Sequence, residues 1–191
     1  IDLFNTLTVS SGSFETNSEL TIKSNPSGTG RIAEITGTGI MGDITMERYI
    51  DSGETYWRFF SSAVQGATIA DYQDDFTTAG YPGSPFPNFG WVSIYNYDET
   101  LGAGLGYVPV SSSAQLLNAG EGFIVWSGDT IIGTQPFTVD LKGAPNQGNI
   151  NLPVNFTNTG ATTEDGWNLL GNPYPSTIDW DAAGWTKTNV G

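Results

Sequence analysis

Apolar and polar residues alternate with a period of two along much of the chain. Leu7-Thr8-Val9-Ser10 and Leu20-Thr21-Ile22-Lys23 each place apolar side chains at i and i+2, the pattern of a strand with one face buried. The same pattern predicts strands over 31–35, 42–50, 56–61, 90–97, 122–126, 135–141, 148–154 and 167–170. No stretch sustains apolar residues at a spacing of 3.6. Twenty-five glycines and ten prolines also interrupt the chain every few residues, which disfavours helix. Many short strands joined by turn formers predict an all-β fold with negligible helix, an antiparallel β-sandwich or jelly-roll-like arrangement.

Residues 1–30 read as an N-terminal β segment, available for strand exchange or forming the end of a preceding unit. The turn cluster Asn25-Pro26-Ser27-Gly28-Thr29-Gly30 reads as its hinge. Residues 31–191 read as a β-sandwich-type domain with a weak internal repeat. Trp57-Arg58-Phe59-Phe60 precedes Thr68-Ile69-Ala70-Asp71-Tyr72, and Trp167-Asn168-Leu169-Leu170 precedes Thr177-Ile178-Asp179-Trp180. The first copy covers 56–126; the second, 166–191, lacks the strands that would follow. A sheet short of strands exposes backbone donors and acceptors, so self-association or pairing with neighbouring modules of the same protein is expected. The Pro-rich stretch 77–88 predicts a surface loop. Its Tyr81 and Phe86 either cap the core or face a ligand.

Composition removes whole classes of chemistry. The chain has no cysteine and no histidine, so Ser-His-Asp triads, Cys-His dyads and thiolate metal sites are excluded. Six Lys+Arg stand against twenty Asp+Glu, a formal charge of −14. No basic footprint exists for nucleic acid, and an anionic membrane surface repels the chain. No segment approaches the apolar length of a membrane span. The first residue is Ile1 rather than Met, which reads as a mature or excised piece of a longer protein.

The segment Gly166-Trp167-Asn168-Leu169-Leu170-Gly171-Asn172-Pro173-Tyr174-Pro175-Ser176-Thr177-Ile178-Asp179-Trp180 resembles stretches in large surface and secreted proteins of the Bacteroidota exported by the type IX secretion system. Arg48-Tyr49-Ile50, Trp57-Arg58 and Gly120-Glu121-Gly122-Phe123 are similar to elements of the same proteins, as is the pair Leu7–Val9 and Leu20–Ile22. The likeness runs from about residue 7 to 181. It implies a secreted or cell-surface location and a structural or adhesive role, and it carries no catalytic residue over. Physically, Gly171-Asn172-Pro173-Tyr174-Pro175 reads as a strand terminator. Each proline drives the residue before it out of the α region, and Gly171 permits a backbone conformation closed to side chains. Tyr174 and Trp180 are expected against the end of the sheet.

The expected function is a non-catalytic extracellular structural or adhesive module, an adhesin or matrix element that repeats in a filament. The alternative is a carbohydrate-binding module. Paired carboxylates are the only catalytic constellation left (Asp71 with Asp74 and Asp75, Asp98 with Glu99, Asp179 with Asp181), and sequence neighbours do not supply the opposed geometry of a glycosidase. Calcium is the one cofactor the composition leaves room for, since hard cations take oxygen ligands. Its candidate ligands are Asp71, Asp74 and Asp75 in one loop, and Asp179 with Asp181. Trp91, Trp180, Trp185 and Tyr81 are the candidate glycan-stacking rings, whereas Trp57, Trp126 and Trp167 sit in strand patterns and read as core. Asp129-Thr130-Ile131 resembles the O-glycosylation motif of Bacteroidota secreted proteins, making Thr130 a candidate acceptor.

Overall fold

The computed structural model describes residues 1–51, 56–101, 104–128, 135–152, 154–160 and 165–188. The first fifty residues wind as stacked coils. β1 (Asp2–Leu3), β2 (Thr6–Leu7) and β3 (Ser13–Glu15) form the first. β4 (Leu20–Ile22), the hairpin of β5 (Ser24–Asn25) and β6 (Gly28–Thr29), β7 (Arg31–Ile32) and β8 (Gly39–Met41) form the second. β9 (Ile44–Ile50) begins the next. Each strand lies parallel on its counterpart one coil earlier: β1 on β4, β4 on β9, β2 on β7 and β3 on β8. The registers Leu3↔Ile22↔Met46, Leu7↔Ile32 and Phe14↔Ile40 stack apolar side chains into ladders. Ile22, Ile32 and Ile40 are buried, whereas Leu3, Leu7 and Phe14 of the first coil are only partly covered. The 25–30 cluster is not a hinge: it closes β5 on β6 in antiparallel register, and Asn25 Oδ1 accepts the Ser27 N–H at 2.8 Å.

The remaining strands are β10 (Tyr56–Phe60), β11 (Ile94–Tyr97), β12 (Tyr107–Pro109), β13 (Phe123–Ser127) and β14 (Phe137–Gly143). β14 runs antiparallel to β9 over seven pairs and completes a mixed sheet in the order β1-β4-β9-β14. The second sheet, β10-β13-β11-β12, is antiparallel throughout. The expected all-β fold holds. Helix among the described residues is confined to two short 3₁₀ turns, Ile69–Tyr72 and Glu99–Leu101, and no described helix is long and apolar enough to cross a membrane.

The core lies where Ile44, Met46, Val139 and Leu141 of the first sheet, Ile94, Phe123 and Val125 of the second, and Val64, Ile69, Tyr72 and Phe76 of the connection are buried together. Phe60, Tyr72, Phe76 and Phe137 join it as an aromatic cluster with neighbouring centroids 5.6–6.1 Å apart. Tyr81 is 1% exposed, so the Pro-rich loop turns this ring inward. Residues 167–170, expected as a strand, make only the bridge Glu121↔Leu170, and 148–152 carries no ladder.

The Gly171–Pro175 segment acts as a strap. Ser61 donates to the Asn172 carbonyl at 3.0 Å, the Pro175 carbonyl accepts the Ile32 N–H at 2.9 Å, and the Tyr174 hydroxyl donates to Gly148 O at 2.8 Å. Gly171 is required for a different reason from the one expected. Its φ is not among the positive values. Instead, a Cβ there would collide with Ser61 Cβ and lie 2.7 Å from the Glu121 carbonyl. All peptide bonds described are trans.

Candidate functional site

Strand alternation places two rows on opposite faces of the second sheet. Phe123, Val125 and Ser127 of β13 are buried, with Arg58 and Phe60 of β10 opposite them. The other row faces outward, and it is aromatic: Trp57↔Trp126, Phe59↔Ile124↔Tyr95↔Pro109 and Tyr97↔Tyr107. Trp91 and Phe89 extend it. The Trp57, Trp91 and Trp126 centroids are 5.3–6.0 Å apart with interplanar angles of 62–81°. Phe89 sits 5.8 Å from Trp91. The three indoles therefore form an edge-to-face ridge, not a flat tile. The reading of Trp57 as core is reversed, for it is 36% exposed, and Trp126, half-buried, lies on the outward row beside it rather than in the core.

Beside the ridge lies a groove of about 440 Å³ lined by Phe59, Tyr97, Tyr107, Trp167 and Leu169, with Asn168 as its amide. Trp167, also expected in the core, is 66% exposed. The Asn168 amide is committed internally, accepting the Asn155 N–H at 3.0 Å and donating to the carbonyls of Asn155 and Gly166. Tyr97 and Tyr107 meet edge-on at 5.2 Å. The Tyr97 ring lies across Gly106, where a Cβ would come within 2.5 Å of it.

The sequence matches the family described as a domain of unknown function (DUF8693) over residues 1–189. The chain belongs to the DUF8693 family. No curated protein and no solved structure matches it. The DUF8693 match runs through the N-terminal coils and both sheets alike.

Within this DUF8693 chain the expected glycan-stacking rings separate. Trp91 belongs to the outward aromatic row. Tyr81 does not: its burial leaves no ring face for a ligand. Trp180 and Trp185 pack on each other at 4.9 Å, Lys187 Nζ lies 4.5 Å from the Trp180 centroid, and Trp185 Nε1 donates to Asp179 O at 2.6 Å. They form a local knot near the C-terminal end. Thr130 lies outside the described residues.

The carboxylates of the 3₁₀ turn have separate tasks. Asp71 accepts the N–H and hydroxyl of Thr68 at 2.6 and 2.8 Å, and Asp75 accepts the Asp140 N–H at 2.8 Å, joining the turn to β14. Asp74 is exposed. Asp179 accepts the Asp181 N–H at 3.0 Å. Among the described residues no three acidic side chains are grouped to hold a metal ion. Burial pushes the Asp75 carboxyl up to about 7. The negative charges of Asp140, Asp74 and Glu47 act the same way, against the lowering effect of the Asp140 N–H.

Sequence reasoning picked out Glu99 only as a carboxylate paired with Asp98 and missed the role it has. Only 6% exposed, it accepts the Thr157 N–H at 2.6 Å, the Thr157 hydroxyl at 2.8 Å and the Gly166 N–H at 2.9 Å. Burial raises its pKa, but these three donors outweigh burial and hold the carboxyl below its ordinary range. It ties Thr157 and Gly166 to the end of β11, beside the groove that Trp167 lines. Its sequence signal, an acid pair in Asp98-Glu99-Thr100, does not differ from a solvated loop.

Proposed function

We propose that this chain is a non-catalytic extracellular adhesive module of a bacterial surface protein, and that the outer face of its second sheet is the contact surface. The observation that carries the proposal is the continuous aromatic row from Phe89 and Trp91 through Trp57 and Trp126 to Tyr97 and Tyr107. Contiguous exposed aromatic surface is uncommon on a free protein and marks interaction sites. The lack of histidine and cysteine, and the use of Asp71 and Asp75 as backbone acceptors, support a non-catalytic role. The resemblance of 166–180 to type IX-exported proteins supports the location. The half-covered Leu3, Leu7 and Phe14 support packing against neighbouring modules or copies, because a further layer on β1, β2 and β3 would continue the ladders.

Carbohydrate is the second reading, favoured by the groove lined by the rings of Phe59, Tyr97, Tyr107 and Trp167, since sugar rings stack on aromatic faces, which the edge-to-face ridge does not present flat. Retention of the chain on protein-coated and polysaccharide-coated beads tests both readings. The double variant Phe59→Ser/Trp167→Ser is expected to lose most retention with little change in melting temperature, because both side chains are largely exposed. Trp180→Ser is expected to behave as the parent. Loss confined to polysaccharide beads selects the carbohydrate reading. Unchanged retention by the double variant and by Trp57→Ser refutes the contact surface.

A further inference from the structure

A second cavity lies between the inward faces of the two sheets, on the opposite side of β10 from the tryptophan ridge. It is an open cleft of about 390 Å³. Met46, Ile50, Val139 and Leu141 of the first sheet and Phe60 of the second wall it with apolar surface. Ile44, Met46, Arg48 and Ile50 occupy one face of β9, and Arg48 pairs with Val139 in the ladder. Alternation calls for an apolar residue there; the chain has a guanidinium.

Two polar groups of the cleft have no partner among the described residues. Arg48 makes no hydrogen bond or ion pair with any described residue, although acidic residues outnumber basic ones twenty to six. Arg48 lines the cleft while being itself exposed to solvent. Desolvation lowers its pKa, as expected when a cation sits against apolar walls without a counter-charge. Tyr72 lines the same cleft, is 1% exposed, and its hydroxyl has no hydrogen-bond partner. Buried polar groups are nearly always paired, so an orphan needs a reason. Arg58 adds positive charge from the second sheet, its Nη1 donating to Ser127 O at 2.7 Å.

We propose that this cleft binds an amphipathic carboxylate, a monoanionic acid with a hydrocarbon body. The carboxylate head pairs with Arg48, whose planar fork matches it. The body lies against Met46, Ile50, Phe60, Val139 and Leu141. The apolar lining and the strongly negative chain select a single charge carried on an apolar body over a compact polyanion such as phosphate. The volume falls at the small end of ligand pockets. Phe59 lines both this cleft and the outer groove, but Arg48, Met46, Val139 and Leu141 line the cleft alone, so Arg48→Met tests this site separately from the proposed contact surface.

Titration calorimetry of the intact chain with octanoate, octanol and inorganic phosphate tests the site. Saturable one-to-one octanoate binding is expected, with octanol at least about tenfold weaker and phosphate without saturable binding. Arg48→Met, which keeps the stem and removes the charge, is expected to weaken octanoate by about tenfold or more while leaving octanol unchanged. Tyr72→Phe preserves the packing and provides an independent variant; methyl shifts of Met46, Val139 and Leu141 on octanoate addition locate the ligand without any variant. No saturable octanoate binding overturns the proposal. So does octanoate affinity that is equal in Arg48→Met and the parent, phosphate binding as tight as octanoate, or shifts that miss the cleft.

Discussion

Replacing Asp75 with asparagine isolates one carboxyl in the pH dependence of folding. Asp75 sits between the 3₁₀ turn and β14, partly buried, accepting the Asp140 N–H at 2.8 Å. Burial first, then the charges of Asp140, Asp74 and Glu47, raise its pKa from 3.8 to about 7. The folded chain therefore holds this proton more tightly than the unfolded chain. Below about pH 4 both states are protonated. As pH rises from about 4 to 7 the unfolded state ionises first, so stability falls through that window and stays lower above it. A displacement of that size is equivalent to about 4 kcal/mol without screening. The carboxyl is only partly withdrawn from water, and solvent screening reduces this to about 1–2 kcal/mol. Asparagine keeps an oxygen for the Asp140 N–H and carries no charge at any pH. Urea unfolding followed by tryptophan fluorescence at pH 5 and pH 8 is the assay. Because the unfolded carboxyl is already ionised by pH 5, the parent is expected to lose about 1 kcal/mol more than Asp75→Asn between the two conditions, and the variant to be the more stable at pH 8. Asp140, whose pKa burial and Asp74 also raise, leaves a residual dependence of the same sign in both proteins. An identical loss in parent and variant refutes the assignment.

Three further outcomes are expected. Ile22→Ala, at a fully buried position in the second coil, costs about 2–5 kcal/mol, and hydrogen exchange shows the loss spread over β1, β4 and β9. Gly106→Ala drives a methyl into the Tyr97 ring and costs about 1–3 kcal/mol, read as a lower melting temperature with the Tyr97–Tyr107 contact broken in nuclear Overhauser spectra. Glu99→Gln loosens the contacts at Thr157 and Gly166, read as faster amide exchange at those two residues at pH 7. In the parent the same amides loosen only as pH falls through the lowered Glu99 pKa, since the stabilisation is present above the ordinary carboxylate range.

The long strands were legible because alternation over five to seven residues is a strong signal. The expected 42–50 and 56–61 became Ile44–Ile50 and Tyr56–Phe60, and 135–141 shifted to Phe137–Gly143. The two- and three-residue strands of the coils were mostly invisible, because so short a run has no period. Their parallel pairing was invisible too, since alternation does not encode strand direction. On β10 the pattern was present but reversed. Tyr56-Trp57-Arg58-Phe59-Phe60 is apolar on both rows, and the row containing arginine is the inward one. Hydrophobicity alone assigns Trp57 and Phe59 to the core; only the partner strands decide which row faces in. The aromatic surface and the Arg48 cleft were missed for the same reason. The role of Glu99 was missed because its three donors come from residues 58 and 67 positions away.

The stacked coils also fix an order of assembly. Apart from the β5–β6 hairpin, which closes within its own coil, the strands in residues 1–50 find their first partners one coil away, so this region can organise as soon as the first two coils are available. The outer edge of β9 is different: its partner is β14, which arrives only after the whole second sheet has been supplied. In the interval Ile44 and Met46 stand on an open, apolar edge, the most aggregation-prone stage of folding for such a chain. The strap at Gly171–Pro175 comes later still. A chain interrupted before β14 therefore leaves a formed coil stack with a sticky flank. Folding from a nascent or translocating chain should pause there, and that stage is where a chaperone or a neighbouring copy would meet it.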